Sequence, residues 1–226
     1  MDSRLPFALG EDRLRLLYRL PLSGKEESIL VLSADPADDP SIGWSDQRVE
    51  SGTVTQLLGT RERPAKRFDA LALPGTLTSS ACGPSAASAR DVASLAYALL
   101  KPGGVLVGHL DNVLAPRNLK RWLTGKHPWH RVRACRGFET ASCCIASLHA
   151  IGFRTAECFY VEPHIGDPMA LVSSEPGSAR VHFVRTVRRN SPLYSRAGYL
   201  LRASLAQARL GGLLQSHLFF WARKPC

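Results

Sequence analysis

Residues 67–110 change their hydrophobic period twice, and no other feature of the sequence restricts the fold as much. The apolar run at 67–75 ends in Pro-Gly, which is typical of a buried strand closed by a turn. Residues 88–101 then place their apolar side chains at the spacing of one helical face. Pro-Gly-Gly ends this helix before a further apolar run at 105–110. Strand, helix and strand in this order predict a right-handed βαβ crossover in a parallel sheet.

The rest of the chain continues the alternation of short apolar runs with helical patterns. Strands are predicted at 27–33, 52–58, 153–161 and 217–222, and helices at 14–20, 139–151 and 195–210. The helix at 139–151 is expected to end at Gly152. We therefore expect a single α/β domain over residues 1–226, with an insertion at about 163–212 that begins as a loop-rich stretch.

Four segments, in this order, resemble motifs of the class I S-adenosylmethionine (SAM)-dependent methyltransferases. They are FDALALP after Arg67, LLKPGG within 98–107, the AIGF turn within 149–156, and the closing FFWARKP at 219–225. The resemblance implies a Rossmann-like three-layer sandwich, whose mostly parallel sheet has an antiparallel last strand. It also implies SAM as the cofactor and methyl transfer as the reaction.

The first loop of the chain departs from that family. In the family the first strand leads into a loop bearing Gly-x-Gly, because a side chain there would obstruct the close approach of the cofactor. The corresponding residues 33–38, SADPAD, contain no glycine. An acid for the ribose hydroxyls is hard to place at the end of a second strand, and a strand–helix unit is expected to be shortened or missing. The N-terminal cofactor motif is thus degenerate.

Ligands of an open parallel sheet bind beyond the carboxyl ends of its strands. The predicted strand ends, together with the resemblance, give these candidates for cofactor binding: Ser33, Ala34, Asp35, Leu73, Pro74 and Gly75. His109 and His164 are candidate bases for a nucleophilic oxygen or nitrogen, since histidine titrates near neutral pH. The alternatives are a core histidine at 109, a surface-loop histidine at 164, and a polar turn at Asp35.

The net charge of +10 favours an anionic partner such as a phosphorylated or carboxylated substrate, a nucleic acid or an anionic membrane surface. A basic face that only aids solubility remains the alternative. The six cysteines form no C-x-x-C pair and have no histidines at zinc-finger spacing, so no metal site is expected. Without a membrane-length apolar run or a signal sequence, we expect a cytoplasmic protein.

Three hypotheses of function remain open at this point. The first is a SAM-dependent methyltransferase that acts on a small-molecule, glycan or lipid acceptor. The second is a catalytically inactive methyltransferase-like subunit, acting with a protein partner or as a homodimer, as the glycine-free first loop indicates. The third is a nucleic-acid-binding protein, suggested by the basic stretch around Trp122 and Trp129, although no known nucleic-acid module is present.

Overall fold

A computed structural model describes residues 21–22, 28–33, 48–54, 57, 67–76, 88–111, 115, 124, 136–138, 140–164, 167–188, 197–198, 200–201, 203–205 and 217–226. Its centre is a seven-stranded sheet with the order β2-β1-β3-β4-β7-β5-β6. The strands are β1 (Ser28–Ser33), β2 (Arg48–Thr53), β3 (Phe68–Thr76), β4 (Leu100–Asp111), β5 (Thr155–His164), β6 (Asp167–Ser173) and β7 (His217–Arg223).

Most strands of the sheet share one direction. β1 pairs in parallel with both β2 and β3, and β3 pairs in parallel with β4. β7 is antiparallel to β4 on one side and to β5 on the other, so β5 points the same way as β4. The predicted antiparallel last strand is confirmed. β6, antiparallel to β5 at the sheet edge, adds a second reversed strand.

The predicted βαβ unit is present as β3, helix α1 (Ala89–Leu99) and β4. Helix α1 begins at a capping box, in which the Ser88 hydroxyl accepts from the Asp91 amide while the Asp91 carboxylate accepts from Ser88. The sequence predicted a separate turn at Pro-Gly-Gly after this helix, and the structure does not form one. It lies inside β4 as an irregularity, where Gly103 adopts a φ of 78°.

Helix α2 (Ala141–Ile151) is capped by Thr140, whose hydroxyl accepts from the Cys143 amide. It ends at Gly152, as predicted, with a left-handed φ of 118°. A Cβ on this glycine would also lie 3.1 Å from the Tyr97 ring of α1. The turn therefore requires glycine for its backbone and for its contact with the neighbouring helix.

Both faces of the sheet are buried. One face packs against α1, α2 and helix α3 (Pro176–Arg188) through a large apolar cluster that includes Leu71, Leu106 and Phe220. The other face buries a second cluster of strand side chains that includes Ile29, Val107 and Phe219. Burial on both faces explains the continuous apolar runs of the central strands and confirms the Rossmann-like fold.

Two further local predictions were wrong. The weak strand expected at 52–58 is found earlier in the chain, as β2 at 48–53. Val54 and Leu57, which the prediction had included in the strand, are helical. The stretch after His164, expected to be loop-rich, forms β6 and α3. Within the predicted helix at 195–210, the described residues 197–198, 200–201 and 203–205 are helical. The predicted helix at 14–20 lies outside the described residues, as do Trp122 and Trp129.

No helix in the described ranges is both long and apolar enough to cross a membrane.

Candidate active site

The carboxyl ends of four parallel strands form a row at one edge of the sheet. Ser33, the last residue of β1, pairs with Thr53, the last residue of β2. On the other side of β1, Val31 pairs with Ala72 of β3. The next residue of β3, Leu73, pairs with Gly108 of β4. Of the predicted strand-end residues, Ser33, Leu73 and His109 thus lie along one edge of the sheet.

The row contains a register shift at two of the predicted cofactor-binding residues. Leu73 pairs with Gly108, and the next pair joins Thr76 to His109, so Pro74 and Gly75 are extra residues on β3. The extra residues of such a bulge leave the hydrogen-bonding ladder, and bulges often adjoin active sites. The backbone of Pro74 and Gly75 therefore lies outside the regular β3–β4 pairing at this edge.

His109 occupies the row itself. Its side chain is 6% exposed, and in β4 it follows the alternation of Val105 and Val107, both of the second apolar cluster. It stands opposite Phe219 of β7 on the same face. An imidazole buried at the mouth of the sheet can take a proton from a group held there, with little competition from solvent.

His164 does not join His109. Phe159 of β5 stands level with His109, since both pair with Phe219 of β7. His164 is five residues further along β5, which amounts to about 16 Å along the strand. It pairs with Asp167 at the tip of the β5–β6 hairpin. The structure therefore separates the two candidate histidines.

His217 is a histidine of this edge that the sequence analysis did not select. It pairs with Asp111 of β4, two residues beyond His109 on the same side of the strand. Diagonal neighbours of this kind lie about 7–8 Å apart. The sequence signal that could have identified His217 was the predicted antiparallel last strand. A strand of reversed direction begins at the edge where its parallel neighbours end, so the first residue of β7 lies at their carboxyl edge.

The remaining predicted cofactor residues divide into three groups. Leu73 is fully buried in the apolar cluster beneath α1, so its side chain belongs to the core and its backbone belongs to the row. Ser33 is placed in the row by its strand. Ala34 and Asp35 lie outside the described residues.

The end of β2 carries no acid. β2 runs through Glu50 to Gly52 and Thr53, and Thr53 is 8% exposed. A nucleotide-binding Rossmann fold uses an acid after its second strand for the ribose hydroxyls. Here β2 ends at the neutral Thr53, and Val54 follows it.

Structural comparison identifies the architecture. A SAM-dependent methyltransferase of Thermotoga maritima, described as a possible histamine N-methyltransferase, aligns with a TM-score of 0.52 at 10% identity over 96% of this chain and 92% of its own. A SAM-dependent methyltransferase of Archaeoglobus fulgidus aligns with a TM-score of 0.51 at 14% identity over 98% of this chain and 97% of its own. The chain has a class I methyltransferase fold. No family model and no curated protein sequence matches it.

Within this methyltransferase fold, the FD and LLKPGG motifs meet at the edge opposite the row. The Asp69 carboxylate accepts hydrogen bonds from the Ser28 amide and hydroxyl, at 3.0 and 2.8 Å, and from the Lys101 ammonium group. Burial alone raises the pKa of Asp69, but the hydrogen bonds from Lys101 and Ser28 outweigh it and hold the pKa below its ordinary value. These residues join the starts of β1, β3 and β4.

The ARKP segment of the methyltransferase fold has a similar structural role. The Lys224 ammonium group donates to the carbonyl oxygens of Tyr97 and Leu100, at 2.7 and 2.8 Å, and lies 4.5 Å from the centre of the Tyr97 ring. It thereby satisfies carbonyl groups that the end of α1 leaves without partners in the helix. The most recognisable motifs of the chain thus hold the scaffold, and the row lies at the other edge.

The described residues contain no group of three or more histidine, cysteine or acidic side chains that would hold a metal ion.

Of the adjacent cysteines on α2, Cys143 is exposed and Cys144 is buried. Burial and the neighbouring Cys158 raise the pKa of Cys144 well above its ordinary value, so its thiol stays protonated. Cys144 is therefore part of the core.

Proposed function

We propose that this protein is a SAM-dependent methyltransferase that acts on a small or anionic acceptor, of the small-molecule, glycan or lipid class. The observation that carries the proposal is the row at the carboxyl edge, where the β3 bulge and the buried His109 adjoin. The methyltransferase fold supports it, because ligands of such sheets bind at this edge. A cytoplasmic location is proposed with it, from the sequence alone.

The residues of the row fit one end of SAM better than the other. Backbone groups of Pro74 and Gly75, released from the ladder by the bulge, would hold the charged methionine end. The ribose end would meet the hydroxyl of Thr53, at the end of β2, in place of a carboxylate. When bound there, the cofactor supplies an electrophilic methyl group. We expect a modest affinity, because a neutral hydroxyl replaces a charged acceptor.

His109 would accept the proton that the acceptor loses as the methyl group is transferred. Its place in β4 fixes the ring beside Phe219, and burial keeps bulk water from that position. His217 would stand across the same edge, two residues beyond His109 in register, and would orient the acceptor. His164, at the hairpin tip, would contribute only if the acceptor extends along β5.

Titration with SAM and S-adenosylhomocysteine by calorimetry tests the proposal. Gly75→Leu places a side chain in the bulge and is expected to weaken binding at least about tenfold. Gly177→Leu is the matched control, since a Cβ at this exposed α3 position meets nothing within 4 Å. Micromolar binding that Gly75→Leu weakens and Gly177→Leu leaves unchanged supports the proposal. The absence of binding at millimolar cofactor overturns it.

The alternative is an inactive methyltransferase-like subunit that acts through a partner protein or a second copy. The specific observation in its favour is the neutral end of β2, together with the glycine-free residues 33–38. The same titration separates the two proposals, because an inactive subunit of this kind would bind neither ligand.

A further inference from the structure

Large apolar side chains are exposed mainly in the insertion at 163–212. The described residues contain four such side chains, and three of them are Val181, Leu200 and Leu201, with exposed fractions of 49%, 52% and 54%. We call these three side chains the insertion surface. Isolated exposed leucines are common on soluble proteins, but adjacent leucines that are both more than half exposed favour a contact with another apolar phase.

The helical residues that carry the insertion surface, in α3 and within 197–205, pack against the apolar cluster on one face of the sheet. Ala179 of α3 and Ala203, within the helical residues 203–205, are 0% and 5% exposed, and both belong to the apolar cluster on the α1 face of the sheet. Val181 is two residues after Ala179, and Leu201 is two residues before Ala203. Two residues correspond to a rotation of about 200° around the helix axis, so each pair points to opposite sides of its helix. Anchoring on one side therefore directs Val181 and Leu201 outward.

The charged residues of the sequence from the start of α3 to the start of β7 have a single sign. Residues 176–216 contain no aspartate or glutamate, and they contain seven arginine residues. The last acid before this stretch is Glu175, directly before α3. A partner of this region is therefore expected to carry negative charge as well as apolar material.

We propose that the insertion surface docks on an anionic lipid bilayer. Aliphatic side chains that project from a basic helical region enter the boundary between headgroups and acyl chains, while guanidinium groups bind the phosphates. A nucleic acid would satisfy the charge but offers no apolar phase for Val181, Leu200 and Leu201. This docking is independent of cofactor binding, so it stands or falls separately from the proposed methyl transfer.

Vesicle sedimentation with the full chain tests the docking. The probes are vesicles of about 30% phosphatidylglycerol in phosphatidylcholine and vesicles of phosphatidylcholine alone, because anionic lipid supplies the attraction to basic residues. We expect binding to the first that is at least about tenfold tighter than to the second and weakens with added salt. The double variant Leu200→Ser/Leu201→Ser is expected to bind the anionic vesicles about tenfold more weakly.

Val49→Ser is the matched control, because Val49 is the fourth exposed large apolar side chain among the described residues and lies on β2, at the sheet edge opposite β6. Unchanged binding in this variant, with loss in the double variant, supports the proposal. Equal binding of wild type and double variant overturns it, since charge alone would then explain the attraction. Lack of binding to either vesicle also overturns it, as does a dimer that the double variant dissociates without vesicle binding.

Discussion

The ammonium group of Lys101 lies 2.8 Å from one carboxylate oxygen of Asp69 and 2.9 Å from the other. Asp69 is the second residue of β3 and Lys101 is the second residue of β4, so the pair joins the starts of two neighbouring parallel strands. The Asp69 carboxylate also holds Ser28 at the start of β1. Residues that identify the fold in the sequence therefore align its strands at the edge remote from the candidate site.

Asp69→Asn is expected to lower the free energy of unfolding by about 1 kcal/mol at neutral pH, since Lys101 is 41% exposed and water screens the pair. The folded-state pKa of Asp69 lies below its ordinary value of 3.8. The stabilisation is therefore present above that value and is lost as pH falls through the folded pKa.

Denaturant unfolding of wild type and Asp69→Asn at pH 7 and near pH 3 measures this difference. The control is Glu157→Gln, which makes the same change in charge at an exposed site of β5. A difference between wild type and Asp69→Asn that grows on acidification would contradict the proposed role of the carboxylate.

Lys224→Met is expected to lower the free energy of unfolding by about 1–2 kcal/mol, because the carbonyl groups of Tyr97 and Leu100 lose a charged donor. Arg223→Met removes the same charge from the adjacent exposed side chain and is expected to have little effect. Thermal unfolding of both variants gives the comparison. Equal losses would mean that net charge, and not the end of α1, accounts for the change.

Gly108→Ala tests how closely β4 and β7 approach beside His109. A Cβ at Gly108 would lie 2.8 Å from Phe220 and 3.2 Å from Leu73, so we expect a loss of about 1–3 kcal/mol in unfolding free energy. Gly52→Ala on β2 is the control, because its nearest contact would be an ordinary 3.6 Å. Similar stability of the two variants in denaturant would show that the sheet yields at Gly108.

His109→Gln is expected to lower the rate of methyl transfer about hundredfold if His109 accepts a proton in the reaction. Affinity for S-adenosylhomocysteine should remain close to wild type, and that measurement also shows that the variant folds. His182→Gln, on α3 and away from the row, serves as the control. A rate equal to wild type in His109→Gln would assign the proton transfer to another group, with His217→Gln as the next variant to measure.

Elements with local signals were predictable from the sequence. Helix α1 has its capping residue, apolar face and Pro-Gly-Gly terminator within one short stretch, and Gly152 ends α2 for a reason that is local to the backbone. The continuous apolar runs of β1, β3 and β4 follow from burial on both sheet faces. β6 was missed because prolines and glycines around it favour a loop, whereas its strand conformation depends on pairing with β5.

The sequence by itself determined the α/β class, the βαβ unit and the group of strand ends that holds His109, since each depends on local periodicity and turn chemistry. Only the tertiary structure decided which residues share an edge. It placed His217 opposite Asp111 at the carboxyl edge, and it placed Asp69 at the opposite edge of the sheet. It also placed His164 about 16 Å further along β5 than Phe159, the residue level with His109. The physical reason is strand register, which hydrogen bonds between distant segments establish and no local pattern encodes.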